Sequence, residues 1–184
     1  SSSDMKKLLS IFALALLLAG CDKLPSQPPS FKNTDLTGLD YAKDFALTDH
    51  TGKARTLADF KGKVTLVFFG YTQCPDVCPT TLAELAAVKR DLGKDGDRVQ
   101  GVFVSVDPQR DTPQVLKAYI ASFDPGFVAL RGTPEEIKTA ARNFKVFYAQ
   151  VPGKTEDSYT VDHTAGTYVF DAQGRSTPVD SVAA

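Results

Sequence analysis

The chain has 184 residues, with 21 basic and 22 acidic side chains, a formal net charge of −1, three cysteines, two histidines and one methionine. No basic stripe runs along it, which excludes the electrostatic footprint of a nucleic-acid binder. Once the unusual N-terminus is set aside, the remaining length fits one domain.

Ser1 to Asp4 precede the only methionine, Met5, and read as an expression remnant. Lys6 and Lys7 form a short positive stretch, and Leu8 to Leu18 is apolar apart from Ser10. That run is shorter than the roughly 20 residues a membrane span needs, and it reads as a secretory signal. It ends in Leu18-Ala19-Gly20-Cys21, which looks like a bacterial lipobox. Cys21 is therefore expected to be lipid-modified and to begin the mature chain; the alternative is an ordinary cysteine in a short buried helix. Removing residues 1–20 takes away Lys6, Lys7 and Asp4, so 19 basic and 21 acidic residues remain. Residues 21–40 comprise this cysteine and a stretch rich in Pro, Ser, Thr and Asp that reads as a tether. Export places the two remaining thiols in an oxidising compartment, where a disulfide can persist.

The segment 41–184 reads as the folded domain. Phe45-Ala46-Leu47 predicts a short strand, turned by Asp49 to Lys53, and Thr56 to Gly62 predicts a single helical turn. Val64 to Phe69 is a continuous apolar, partly β-branched run, as expected of a strand covered on both faces. A helix is predicted from Pro79 or Thr80 to Leu92, with Leu82, Leu85, Ala86 and Val88 at helical spacing and Gly93 as its stop. Val99 to Val106 is a second buried strand. Thr112-Pro113 and Thr133-Pro134 each pair an N-cap with proline at the first helical position, and predict helices to about Phe123 and Phe144. Phe127 to Leu130, Val146 to Val151 and Thr167 to Phe170 complete the strands, the last closed by a turn at Asp171 to Gly174. No internal repeat is visible. Alternating strands and helices predict an α/β fold with a central mixed β-sheet flanked by helices.

Two cysteines, Cys74 and Cys78, directly follow the first buried strand and open the helix after it. Thiols at a helix N-terminus feel the positive end of its dipole, which favours thiolate. Three residues separate them, rather than the two of a thioredoxin-type pair. Positions i and i+4 share a helix face, so both sulfurs can point at one ion; they can also close a disulfide if the turn lets the Cα atoms approach. Of the two histidines, His50 lies in a polar turn and reads as an exposed turn residue. His163 lies just before the strand Thr167 to Phe170, where a scaffold can fix a functional side chain, or is an ordinary loop histidine held by Asp162. Two thiolates and an imidazole suit copper or zinc far better than calcium or magnesium. Three such ligands leave a coordination position open, whereas a closed structural zinc site uses four. Asp107 and Asp111 bracket the end of the second buried strand. They read either as turn and cap residues or as carboxylates that orient a ligand or dock a partner.

Three motifs together resemble the Sco (SenC) family of copper-binding, thioredoxin-fold proteins. They are Cys74-Pro75-Asp76-Val77-Cys78-Pro79, Ser105-Val106-Asp107-Pro108-Gln109-Arg110-Asp111-Thr112-Pro113 and Val161-Asp162-His163. The resemblance runs from about Tyr41 to Gly174. It implies a thioredoxin-like fold, with Cys74, Cys78 and His163 as ligands for copper(I) and copper(II). It also implies a membrane-anchored metallochaperone; with the lipid expected at Cys21, the domain is expected in the periplasm, or outside the cytoplasmic membrane, of a bacterial cell envelope. Such a protein delivers copper to, or matures, the dinuclear copper site on a subunit of cytochrome c oxidase. A monomer is expected.

The same thiols leave a thiol–disulfide oxidoreductase open, with Cys74 attacking and Cys78 resolving, in a redox-protective role. Thioredoxin-type enzymes keep a cis-proline opposite their thiols, and no proline occurs from His163 to Phe170. The Pro-x-x-x-Thr/Ser-x-x-Cys signature of peroxiredoxins is absent. A purely structural disulfide across so short a loop would constrain the unfolded chain little. After Gly174 the resembled family continues through a strand and a terminal helix. Arg175 to Ala184 offers neither, so a weakened fold is expected there without loss of a ligand.

Overall fold

A computed structural model of the chain describes residues 42–154 and 158–177. The readings of residues 1–41, Cys21 among them, and of the chain after Thr177 lie outside this range. Among the described residues, no helix is long and apolar enough to cross a membrane.

The strands are β1 (Ala46–Asp49), β2 (Ala54–Thr56), β3 (Val64–Gly70), β4 (Val99–Ser105), β5 (Val128–Arg131), β6 (Tyr148–Pro152), β7 (Tyr159–His163), β8 (Thr167–Phe170) and β9 (Ser176–Thr177). The helices are α1 (Val77–Asp91), α2 (Pro113–Ala121) and α3 (Pro134–Phe144). Seven strands form one mixed sheet in the order β2-β1-β5-β4-β3-β8-β9, and β6 and β7 form a separate hairpin. This is the expected α/β architecture, a central mixed sheet flanked by helices.

The middle of the sheet is parallel. β3 pairs with β4 from Val64↔Val99 to Gly70↔Ser105, and β4 pairs with β5. Every residue of β4 is buried, as is every residue of β3 after Val64. Continuous burial is what strands covered on both faces require, and it explains why these two runs were legible in the sequence. α1 turns Cys78, Leu82 and Ala86 inward at intervals of four, a stripe facing the core. α2 and α3 begin where their cap-proline pairs predict. Thr112 Oγ1 accepts the Val115 N–H at 3.3 Å, and Thr133 and Glu136 form a reciprocal capping box. Phe144, at the end of α3, packs its ring 5.2 Å from Phe69 and 5.1 Å from Tyr168.

Four local expectations are corrected. α1 starts at Val77, not at Pro79 or Thr80. Pro79 falls within the first turn, where its missing N–H costs nothing because those amides have no intrahelical partner. Ala54–Thr56 forms a strand antiparallel to β1, so the turn at Asp49 to Lys53 closes a hairpin. Tyr159–His163 is a strand rather than a loop; it pairs with β6 from Pro152↔Tyr159 to Tyr148↔His163. Only Val161 of it is buried, so it lacks the apolar run that betrays a core strand. Finally, Ser176–Thr177 pairs with β8 where no strand was expected. The turn before it returns the chain: Asp171 Oδ1 accepts the Gln173 and Arg175 N–H groups at 2.9 Å each, and Gly174 takes a φ of +79°.

Candidate metal centre

β3 ends at Gly70, and the chain turns through Tyr71 to Cys74, whose N–H donates to the Tyr71 carbonyl at 3.2 Å. Cys74 is half-buried in this turn, while Cys78, one helical turn on, is wholly buried as the first member of the inward stripe of α1. The Cys78 N–H donates to Cys74 Sγ at 3.4 Å, so the sulfur of the first cysteine sits over the start of the helix. His163 arrives from the separate hairpin, at the end of β7, with its Nε2 3.5 Å from Cys78 Sγ. The ligand atoms of Cys74, Cys78 and His163 all lie within 4.8 Å of one another. An ion with bonds of about 2.0–2.3 Å to nitrogen and sulfur spaces three planar ligands about 3.5–4 Å apart, so the donor set fits a soft or borderline metal.

The imidazole is held for this task. His163 Nδ1 lies 3.1 Å from the Thr164 carbonyl. A carbonyl only accepts, so Nδ1 carries the proton and Nε2 presents its lone pair towards the cysteines. Phe68 and Tyr71 meet the ring edge-on, with centroids at 6.1 and 6.0 Å. Burial holds the His163 pKa below its ordinary 6.5, with the Thr164 carbonyl and Asp162 partly opposing. The imidazole is therefore neutral at neutral pH. Burial pushes the Cys78 thiol far up, and the neighbouring Cys74 adds to the effect. This reverses the expectation drawn from the helix dipole for that residue: the metal-free thiol has lost more to desolvation than the helix end returns. A bound cation supplies the missing charge and takes the thiol as thiolate. Cys74 and His163 line a cleft of about 340 Å³ together with Tyr71, Pro75, Thr160 and Ala165 among others, while Cys78 is fully buried.

Other sequence candidates take different places. His50 is not an exposed turn residue. It is half-buried, its Nδ1 accepts the Ala129 N–H at 3.3 Å, and its own N–H donates to the Ala129 carbonyl, linking the end of β1 to β5 away from the cysteines. Asp111 is fully buried and caps nothing, since Thr112 caps α2. Its carboxylate accepts Thr72 Oγ1 and Ser105 Oγ at 2.6 Å each, and the Thr72 N–H at 3.2 Å. It thus fixes the cysteine turn against the end of β4. Asp107 is also buried and pairs with Arg110 and with the Tyr159 hydroxyl. Sequence reasoning passed over Arg110, Tyr71 and Tyr159. The one available signal was that Arg110 stands between the two aspartates.

The SCO1/SenC family model matches residues 33–180. An SCO2-like protein of Rickettsia felis is 38% identical over 170 residues, covering 91% of this chain and 82% of its own. Among solved structures, copper-bound ScoI of Bradyrhizobium japonicum is 50% identical and superposes with a TM-score of 0.70 over 76% of this chain and 89% of its own. BsSco, a member of the Sco family of cytochrome c oxidase assembly proteins in which a disulfide switch was identified, is 26% identical with a TM-score of 0.58, over 80% of this chain and 84% of its own.

Proposed function

The chain belongs to the SCO1/SenC family, and from that membership and the geometry of the site we propose that it is a copper metallochaperone whose ligands are Cys74, Cys78 and His163. The carrying observation is the convergence of two thiols and one oriented imidazole, within 4.8 Å, from a turn, a helix and a separate hairpin. Copper(I) and copper(II) are both within reach of this donor set: the thiolates satisfy the softer ion, and the imidazole suits the harder one. Loading releases the thiol protons, so uptake strengthens as pH rises. Three protein ligands leave a position open on the cleft, where a partner's ligand can enter and draw the ion away by exchange. The copper-bound ScoI and the assembly role of BsSco support a partner of one kind, the copper-bearing subunit of cytochrome c oxidase.

In the same reading, residues 1–20 hold the export signal, and Cys21 carries the lipid. Residues 21–40 then tether the domain 41–184 to the cell-envelope membrane, on its non-cytoplasmic side.

A second reading is favoured by the unequal exposure of the thiols. Cys74 is half-exposed and Cys78 buried, the arrangement of an attacking and a resolving cysteine. Cys74 thiolate would attack a partner disulfide, Cys78 would release the partner as a dithiol, and two electrons would pass to it as Cys74 and Cys78 join.

Copper(II) titration of the reduced domain separates the two. A strong thiolate-to-copper absorption at one equivalent, lost in Cys74→Ser and altered in His163→Ala, is the expected result. Rapid oxidation of the pair with no such band would overturn the chaperone in favour of the reductase.

A further inference from the structure

The metal ligands come from two sheets that share no backbone ladder. Cys74 and Cys78 follow a central strand of the seven-stranded sheet, whereas His163 ends β7 of the isolated hairpin. The chain itself brings His163 close, since only three residues separate it from β8, which pairs with β3. With no ladder between the hairpin and the sheet, side-chain contacts set the finer distance from the imidazole to the sulfurs. Arg110 stands at this junction. Its Nε donates to the carboxylate of Asp107. Its Nη1 donates both to Gln73 Oε1 at 3.1 Å and to the Tyr159 carbonyl at 2.9 Å. The guanidinium carbon lies 3.6 Å from the centroid of the Tyr159 ring and 5.7 Å from that of Tyr71. The Tyr159 hydroxyl closes the circuit by donating to Asp107 Oδ1 at 2.8 Å.

The placement of these partners gives the cluster its consequence. Gln73 immediately precedes Cys74. Tyr159 begins the strand that His163 ends. Tyr71 packs edge-on against the His163 ring, and its phenol meets the backbone of Val161 midway along the same strand. Arg110 is 16% exposed and Asp107 1%, so water screens their pairing little.

We propose that Arg110 is a positioning residue of the copper site: it latches the hairpin bearing His163 onto the turn bearing the cysteines and so sets the reach of the imidazole. The inference rests on the copper reading above. Loosening the latch leaves the dithiol pair intact, so copper(I) is retained, while copper(II), which depends on the imidazole, is released faster. Lysine cannot replace it, because it offers neither the planar fork nor the stack on Tyr159.

The test measures copper(II) dissociation from the reduced protein in a cycle of Arg110→Lys, His163→Ala and the double variant, with Tyr159→Phe as a milder break of the same cluster. Arg110→Lys is expected to fold, to keep one equivalent of copper(I), and to release copper(II) about tenfold faster. Its absorption should move towards that of His163→Ala. In the His163→Ala background, Arg110→Lys should change the rate by less than about twofold, because the latch acts only through the imidazole. Tyr159→Phe should accelerate release in the same direction by about threefold. Wild-type release rates in both Arg110→Lys and Tyr159→Phe would overturn the latch, as would an undiminished effect of Arg110→Lys without His163. If the wild-type protein takes up no copper(II), the copper reading itself fails. Amide exchange along β7 of the metal-free protein then decides the latch: faster in Arg110→Lys supports it, and unchanged overturns it.

Discussion

At the residue scale, the site depends on one position that carries no chemistry. Gly70 ends β3 directly beneath the buried thiol. A Cβ there would lie 2.7 Å from Cys78 Sγ, 2.9 Å from Phe103 Cε2 and 3.0 Å from Phe68 Cε1. Two of these are rings in the packed interior and one is a proposed ligand, so none can yield cheaply. Gly70→Ala should therefore cost about 1–3 kcal/mol and weaken metal binding together with stability, as read by denaturant unfolding and copper titration on one preparation. A variant of unchanged stability and affinity would show that the close approach is dispensable. The proposed ligands and the glycine differ in how they could be read. Cys74, Cys78 and His163 were legible because donor chemistry is a property of residue type and, for the thiols, of short spacing. The need for glycine at position 70 arises from side chains of β3, α1 and β4 that only the folded arrangement brings over its Cα.

At the element scale, β3 and β4 were legible from their apolar runs, and α2 and α3 from threonine followed by proline. β7 was not, because a strand paired on one side only, with a single buried residue, has no pattern strong enough to stand out from a loop. Its position therefore had to come from tertiary contact, and with it the true setting of His163. The β1–β2 turn shows how polar side chains can fix an element. Asp49 is buried, and its carboxylate accepts the Thr51 and Lys53 N–H groups, Thr51 Oγ1 and Arg55 Nε. Burial alone would raise its pKa, but these hydrogen bonds outweigh it and hold the group far below its ordinary 3.8. A carboxylate depressed in the folded state contributes stability that is present above pH 3.8 and is lost as pH falls towards its folded value. Asp49→Ala is predicted to lose about 2–3 kcal/mol at neutral pH and to show a shallower acid limb than the wild type when urea unfolding is followed from pH 5 to 2. Parallel acid limbs would show that another carboxylate governs the loss.

At the scale of the whole molecule, the parts divide the work. A mixed sheet with a core of packed aromatic rings presents two thiols just after β3, and a hairpin outside that sheet supplies the third proposed ligand. In the proposed reading the site thus joins two separately hydrogen-bonded elements, which suits a carrier that must hold an ion and then yield it. The proposed anchor extends the same division, with a lipid at Cys21 keeping the carrier at the membrane and residues 22–40 giving it reach. Expression of the whole chain in a bacterial host should yield a membrane-fraction protein whose mass includes acyl chains at residue 21. Cys21→Ser should move it out of that fraction, and an unmodified wild-type protein free of the membrane would refute the anchor. X-ray absorption at the copper edge of the loaded, reduced domain reads the donor set without an intermediary. Two sulfur ligands and one imidazole nitrogen are expected on copper(II), with the nitrogen lost in His163→Ala. A shell of nitrogen and oxygen alone, or one unchanged by His163→Ala, would contradict that donor set.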